Sequence, residues 1–551
     1  MNAASQISTK AQPPNEETAP GKPGRVTAKG VLETTPEPTR SAVNQKKAGV
    51  FKPNSKTGGK QNPNDWFKAK FPKLADRHGE PLDIYSPKNQ RPRVVDMNES
   101  FLATTLGEDA SPETPTVYLR GENRFYTYRQ ESGIFTLATE EELSARYAEM
   151  LLACARDCRE AADVSKLEFG FRDSGALVGV IKRAKAFLCV PDDFFQRDMT
   201  ELLPVGNGVL RLSDRKLLPF SPLYRFRNKI TVNYNPEAHC PMFENVLLAP
   251  SLEIEDGKLL QMWSGLALCG RNVSQKIMLL SGTAGAGKGT FIRVLKFIIG
   301  EANVGSLRTD QLDQRFELGL HIGRTVLYGA DVPANFLSGA SAAKLKAYTG
   351  GDPLTAELKG SNSTVSLKGE FNTIATSNSR LTVHLEGDVD AWTRRLLIIR
   401  YEKPKPEKAI PDLDKKILDQ EASGVLNWML DGLFALRSAN WQFSLTKRQQ
   451  ERVDELLLES DSVNVFFREC CVADPLSDGM TVTDGHTAYA DYCFEWGWNP
   501  IARQLFGKEA PEAVQQIFRL STRHDIKGTE KRLQRGWKGL RLRAGDRLTP
   551  D

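Results

Sequence analysis

The run Gly282-Thr-Ala-Gly-Ala-Gly-Lys288-Gly-Thr290 follows a short apolar stretch, Lys276-Ile-Met-Leu-Leu-Ser281, and precedes a segment of helical character reaching about Ile299. Glycine, four residues, then Gly-Lys, set between a strand and a helix, is the arrangement of a phosphate-cradling loop. The apolar stretch reads as a buried parallel strand, which commits this part of the chain to an α/β fold. The glycines let backbone N–H groups curl around phosphate oxygens without side-chain clash, and the helix N-terminus adds positive potential. The candidate nucleotide site is therefore Gly282, Thr283, Ala284, Gly285, Ala286, Gly287, Lys288, Gly289 and Thr290, with Lys288 reaching the β- and γ-phosphates. Gly289 stands where Ser or Thr normally holds magnesium, so Thr290 or a water is left for that place.

Lys-Gly-Thr at the end of such a loop also occurs in adenylate-kinase-like enzymes, so the remainder of the domain has to discriminate. The next apolar strand, from Thr325 to Ala330, ends on Asp331, and an acid there faces the loop across the switch point, placed to hold Mg2+ or its water. An N-cap carboxylate is the structural alternative. Tyr348-Thr-Gly-Gly-Asp352 leads into two strand-like pieces, 354–358 and 364–367, which read as a β-hairpin with a polar tip. Lys359 and Lys368 are placed to meet a nucleic-acid backbone, or simply to solvate the hairpin. A further strand from Phe371 ends on Ser377-Asn378, a polar amide of the kind that orients an attacking water. Asp388 through Arg395 precedes the strand 396–400; Arg394 and Arg395 are suited to stabilising transition-state charge in a neighbouring subunit, or to pairing with Asp388 or Asp390.

At 551 residues the chain is long enough for about three folded units. Residues 1–63 form a basic tail rich in Pro, Gly, Ser and Lys and almost free of aromatics, a composition expected to be disordered. Residues 64–245 read as a mixed α/β unit anchored first at Trp66 and Phe67, with strands near 117–120, 124–129 and 133–137 and helices at 140–163 and 174–187. Residues 246–445 hold the loop and its sheet. Residues 446–551 form a C-terminal block in which Arg519, Arg523, Lys527, Lys531 and Arg532 fall near helical spacing, as in a basic recognition helix followed by a wing. A solvated basic face is the plainer alternative. No run of 18 apolar residues or secretory leader is apparent, so a cytoplasmic protein without a membrane partner is expected. Eight scattered cysteines lack a zinc-ligand pattern and read as reduced thiols.

Taken in order, the loop at 282–290, Asp331, Tyr348 through Asp352 with Lys359, Thr376-Ser-Asn378 and Asp388 through Arg395 resemble the superfamily 3 helicases. The closest likeness is to the phage/plasmid primase family, which is related to the poxvirus primase–helicase. Upstream, Asn207-Gly-Val-Leu-Arg-Leu and Tyr234-Asn-Pro-Glu-Ala-His-Cys-Pro resemble the family's domain before the motor. Downstream, 489–497 and 535–542 resemble its winged-helix region. The resemblance implies an AAA+-like P-loop ATPase domain with a mixed α/β N-terminal domain and a C-terminal winged-helix domain. It implies a homo-hexameric ring that hydrolyses ATP with Mg2+ and translocates on single-stranded DNA at replication-fork DNA, with a separate primase or polymerase as a further partner. Asn378 would be the sensor, Arg394 or Arg395 the finger acting in trans, and Lys359 the DNA-contacting hairpin lysine.

Two other readings stay open. A replication initiator or DNA-binding adaptor would use nucleotide only as a conformational switch and take its DNA contact from Arg523, Lys527 and Lys531. A nucleotide kinase would need a lid and a monophosphate site, which the Gly350–Gly351–Asp352 hairpin and the paired arginines do not suit.

Overall fold

The computed structural model describes residues 61–543 apart from 173, 197, 334–335, 360–363, 379–380, 382, 385–388, 405–409 and 528–531. Residues 1–60 of the basic tail, with their expected disorder, lie outside the described residues, as do Asp388 and Lys531; Pro63, placed in the tail by sequence, begins the helix Pro63–Lys70.

The chain is a mixed α/β protein whose centre is a five-stranded, all-parallel sheet. In chain order it comprises α1 (Ile254–Leu268), β1 (Ile277–Gly282), α2 (Lys288–Ile299), β2 (Val304–Ser306), β3 (Val326–Gly329), β4 (Asn372–Ser377), β5 (Leu396–Tyr401) and α3 (Leu413–Ser438). The spatial order is β2-β3-β4-β1-β5, which puts the strand preceding the loop between the two that follow last. β1 is apolar without alternation because both its faces are covered. Met278 and Leu280 enter the core beneath α1, α2 and α3, while Ile277 and Leu279 enter a second core on the opposite face, with Leu345, Tyr348, Trp392 and Val453. β5 divides its residues the same way, Leu397 and Ile399 to the first core and Leu396 and Ile398 to the second.

On the first face α1 and α3 cross at two glycines. A Cβ on Gly265 would lie 2.2 Å from the Leu433 backbone nitrogen, and one on Gly432 would lie 2.1 Å from the Gln261 carbonyl oxygen. The helices are thus in backbone contact there, a separation that only glycine permits.

The segment 199–248, grouped by sequence with the N-terminal unit, packs into the central core: Leu203, Val209, Phe226, Phe243 and Leu247 join Trp263 and Phe291. α3 grips this segment. The Glu421 carboxylate, almost fully buried, accepts the backbone N–H groups of Met242 (2.8 Å) and Phe243 (2.9 Å). Asn427 donates to the carbonyls of Asn235 (2.8 Å) and Ala238 (2.9 Å).

The N-terminal strands Thr116–Leu119, Arg124–Arg129 and Ile134–Ala138 and the helices Glu140–Cys158 and Ser174–Phe187 form close to where the sequence places them. Leu143, Tyr147, Leu151 and Cys154 supply one apolar stripe of the longer helix, against Phe67 and Phe101.

In the C-terminal block, helices Ser462–Cys470, Val482–Glu495 and Arg503–Phe518 surround Phe466, Phe467, Tyr489, Phe506 and Trp537. A three-stranded sheet, with Met480–Thr481 and Arg523–Lys527 flanking Leu533–Trp537, closes one side. The expected basic helix through Arg519, Arg523 and Lys527 is corrected here. Arg519, at φ +61°, ends the preceding helix, and Arg523 and Lys527 lie on a β-strand. The basic spacing misled because a helix docks through an apolar stripe, and between 519 and 527 only Ile526 is buried deeply.

Candidate functional site

β1 ends in Gly282, whose φ of +126° and position against β5 demand glycine, since a Cβ would sit 2.5 Å from the Tyr401 carbonyl oxygen. The loop then turns through Gly285 (φ +82°) and Gly287 (φ +98°) into α2, which begins at Lys288. Lys288 is buried, and its Nζ donates to the carbonyls of Gly282 (2.6 Å) and Thr283 (3.0 Å). Burial pushes its ammonium below the usual lysine range, with the Asp331 charge opposing that shift.

Two further strand ends meet the loop. Asp331 follows β3 in the left-handed region (φ +41°), its backbone N–H donating to Thr376 Oγ1 (3.1 Å). Asn378 follows β4 and donates its side-chain amide to Asp331 Oδ1 (3.0 Å). The carboxyl ends of β1, β3 and β4 thereby bring Lys288, Asp331 and Asn378 around one cavity of about 790 Å³. Such crevices at strand carboxyl ends are where open α/β sheets bind ligands, and this volume suits a nucleotide-sized molecule. Val246, Leu247 and Pro250 line one wall, and Ile410 and Leu413 another.

Sequence reasoning missed a charged group at this cavity and the acid that holds it. Arg293, one turn into α2, lines it and donates through Nη2 to Thr290 Oγ1 (3.2 Å) and through Nε to Asp414 Oδ2 (2.6 Å). The Arg293 guanidinium holds the Asp414 carboxyl below the usual carboxylate range. Position 293 lies three residues from Thr290 on the same helix face, a signal available in the sequence; Asp414, 121 residues away, left none. Of the expected magnesium-holding groups, Asp331 presents an exposed carboxylate, whereas Thr290 is occupied by Arg293 and Gly289 offers no oxygen. No cluster of three or more His, Cys, Asp or Glu suited to a metal occurs among the described residues.

The arginine pair divides. Arg395 is buried and donates through Nη1 to the Ala391 carbonyl (2.9 Å), a position inside the fold. Arg394 is exposed and lines a cleft with Lys276, Asp390 and Gln450. The hairpin forms from Pro353–Glu357 and Thr364–Lys368 in antiparallel register, Leu354 opposite Leu367. Lys359 is exposed just past its first strand, while Lys368 pairs with Glu370 (3.0 Å). In the C-terminal sheet Arg523 is engaged by Asp525 (2.5 Å) and Lys527 is exposed.

A family model described as D5 N terminal like matches residues 117–248, and a family of unknown function, DUF5906, matches residues 280–395. No curated protein matches the chain. Among solved structures, an apo A form of the NrS-1 C-terminal region is 16% identical with a TM-score of 0.44, covering 67% of this chain and 77% of that one. A second apo structure of the NrS-1 C-terminal region (305–718) is 12% identical with a TM-score of 0.44, covering 80% of this chain and 99% of the other. Among the described residues no helix is long and apolar enough to cross a membrane.

Proposed function

We propose that this chain is an ATP-hydrolysing DNA helicase of a phage, plasmid or mobile element, acting in replication, with an AAA+-like motor and a C-terminal winged helix. The convergence of Lys288, Asp331 and Asn378 on one cavity at the carboxyl ends of β1, β3 and β4 is the observation that supports it. The strand order β2-β3-β4-β1-β5 agrees with an AAA+-like core, and the D5 N terminal like match before the motor agrees with a replication protein.

In this reading the backbone N–H groups of 283–288 cradle the phosphates and Lys288 exchanges its loop carbonyls for β- and γ-oxygens. Asp331 would hold Mg2+ directly or through water, and the ion would neutralise charge developing between the β- and γ-phosphates. Asn378 fixes Asp331 and offers its amide to the γ-phosphate side, where a water attacks phosphorus as the bond to the bridging oxygen breaks. Arg394, at the surface, is the candidate for reaching a neighbouring protomer's nucleotide in a hexameric ring. Lys359 is the hairpin group that would track single-stranded DNA.

Single-stranded-DNA-stimulated ATPase activity and strand separation test the proposal, both being lost in Lys288→Ala. Unwinding by that variant at the wild-type rate would sink it. A second reading, a nucleotide-switched initiator, draws on exposed Lys527, Arg532 and Arg535 around the C-terminal sheet. Slow turnover indifferent to DNA, together with tight duplex binding, would favour it.

A further inference from the structure

Gly289 is conspicuous because the position usually bears a hydroxyl. A guanidinium lies beside it: a Cβ on Gly289 would be in ordinary contact with Arg293 Nη1, at 3.5 Å. The same guanidinium donates to Thr290, the hydroxyl that follows Gly289, at 3.2 Å. A cation already seated on Thr290 opposes a second cation there, so the loop side of the cavity is arranged for an anion. Arg293 is 57% exposed at its side chain, lines the cavity, and among the described residues is held otherwise by its ion pair to Asp414 at 2.6 Å.

We propose that Arg293 is a second phosphate-binding cation of this cavity, held by Asp414 until nucleotide arrives and supplying positive charge where the loop lacks the usual magnesium-holding hydroxyl. This rests on reading the cavity as a nucleotide site. The guanidinium fork matches two phosphate oxygens, and such charge-assisted pairs are stronger than neutral hydrogen bonds. The exchange leaves Asp414 in the first turn of α3, where the helix N-terminus favours a carboxylate, so its release is compensated. Because the cationic charge is supplied by the chain itself, nucleotide is held on the loop side without a metal ion, and Asp331 is left as the group that admits one.

Fluorescence titration of the full-length protein with a methylanthraniloyl-ATP probe, in magnesium and in EDTA, tests this for wild type, Arg293→Gln and Asp414→Asn. Wild type is expected to bind in EDTA, with Arg293→Gln weaker by about tenfold there and less affected in magnesium. Asp414→Asn, which frees the guanidinium, is expected to bind more tightly in EDTA. Equal binding by Arg293→Gln and wild type in EDTA would overturn the proposal while leaving the nucleotide site intact. Failure of wild type to bind the probe in either condition would overturn the site and the proposal together.

Discussion

Asn378 donates its side-chain amide to the Asp331 carboxylate across 3.0 Å, joining the ends of two neighbouring parallel strands at the mouth of the cavity. Asp331 meets that amide from a backbone at φ +41°, a region costly for most side chains and tolerated by Asn and Asp. Asp331→Asn should therefore keep the fold and bind nucleotide while hydrolysis falls by roughly 10²-fold or more. Asp331→Ala should also lose about 1 kcal/mol of stability, because alanine has no polar group to support the left-handed backbone. Steady-state hydrolysis beside urea melts separates the two effects; an Asn variant as active as wild type would remove Asp331 from the chemistry.

The two hairpin lysines differ in what they already hold. Lys368 is paired with Glu370 at 3.0 Å, and Lys359 is exposed beside the tip. Lys359→Ala should abolish stimulation by single-stranded DNA while basal hydrolysis stays within about twofold, and should lower the salt dependence of DNA binding by roughly one ion. Lys368→Ala should do less. Stimulation curves at two salt concentrations decide it.

The crossing of α1 on α3 makes Gly265 sensitive to a single methyl group. Its Cβ would strike Leu433 backbone at 2.2 Å, with no flexible side chain to give way. Gly265→Ala is expected to destabilise by about 3 kcal/mol or more, read as a lowered urea midpoint, whereas Gly257→Ala, with open space around it, should be neutral or slightly stabilising.

His321 provides a pH dependence with a defined sign. Its ring is 1% exposed, edge-on to Tyr348 and Phe371, and burial pulls its pKa down to about 4, with Glu317 opposing and Arg308 and Arg324 assisting. The unfolded chain takes up a proton near the ordinary histidine pKa of about 6.5 while the folded one does not. This contribution is complete above that pH and is lost as pH falls toward about 4, amounting to roughly 3 kcal/mol at most. His321→Phe should flatten the stability profile between those limits; an unchanged slope would place the titration elsewhere.

Much of the central sheet was legible because its strands are short runs of apolar or β-branched residues closed by glycine or polar residues, as at 277–280 and 373–376. Lys288, Asp331 and Asn378 were legible for the same reason: each follows such a run, so strand order alone brings them together. The packing of 199–248 onto α3 was not, because a buried carboxylate such as Glu421 is chosen by a partner 178 residues away. The basic spacing after 518 misled for the converse reason: charge periodicity reports no buried face. Arg395 looked equivalent to Arg394 in sequence, and only the turn after Trp392 sends one inward and leaves the other at the surface.

The grip of α3 has a mechanical outcome. Ile410 and Leu413, at its start, form one wall of the cavity, and the wall made by Val246, Leu247 and Pro250 hangs from Glu421 two turns further along the same helix. The two jaws are fastened to one bar. A displacement of that bar relative to the loop at 282–290 carries both jaws with it.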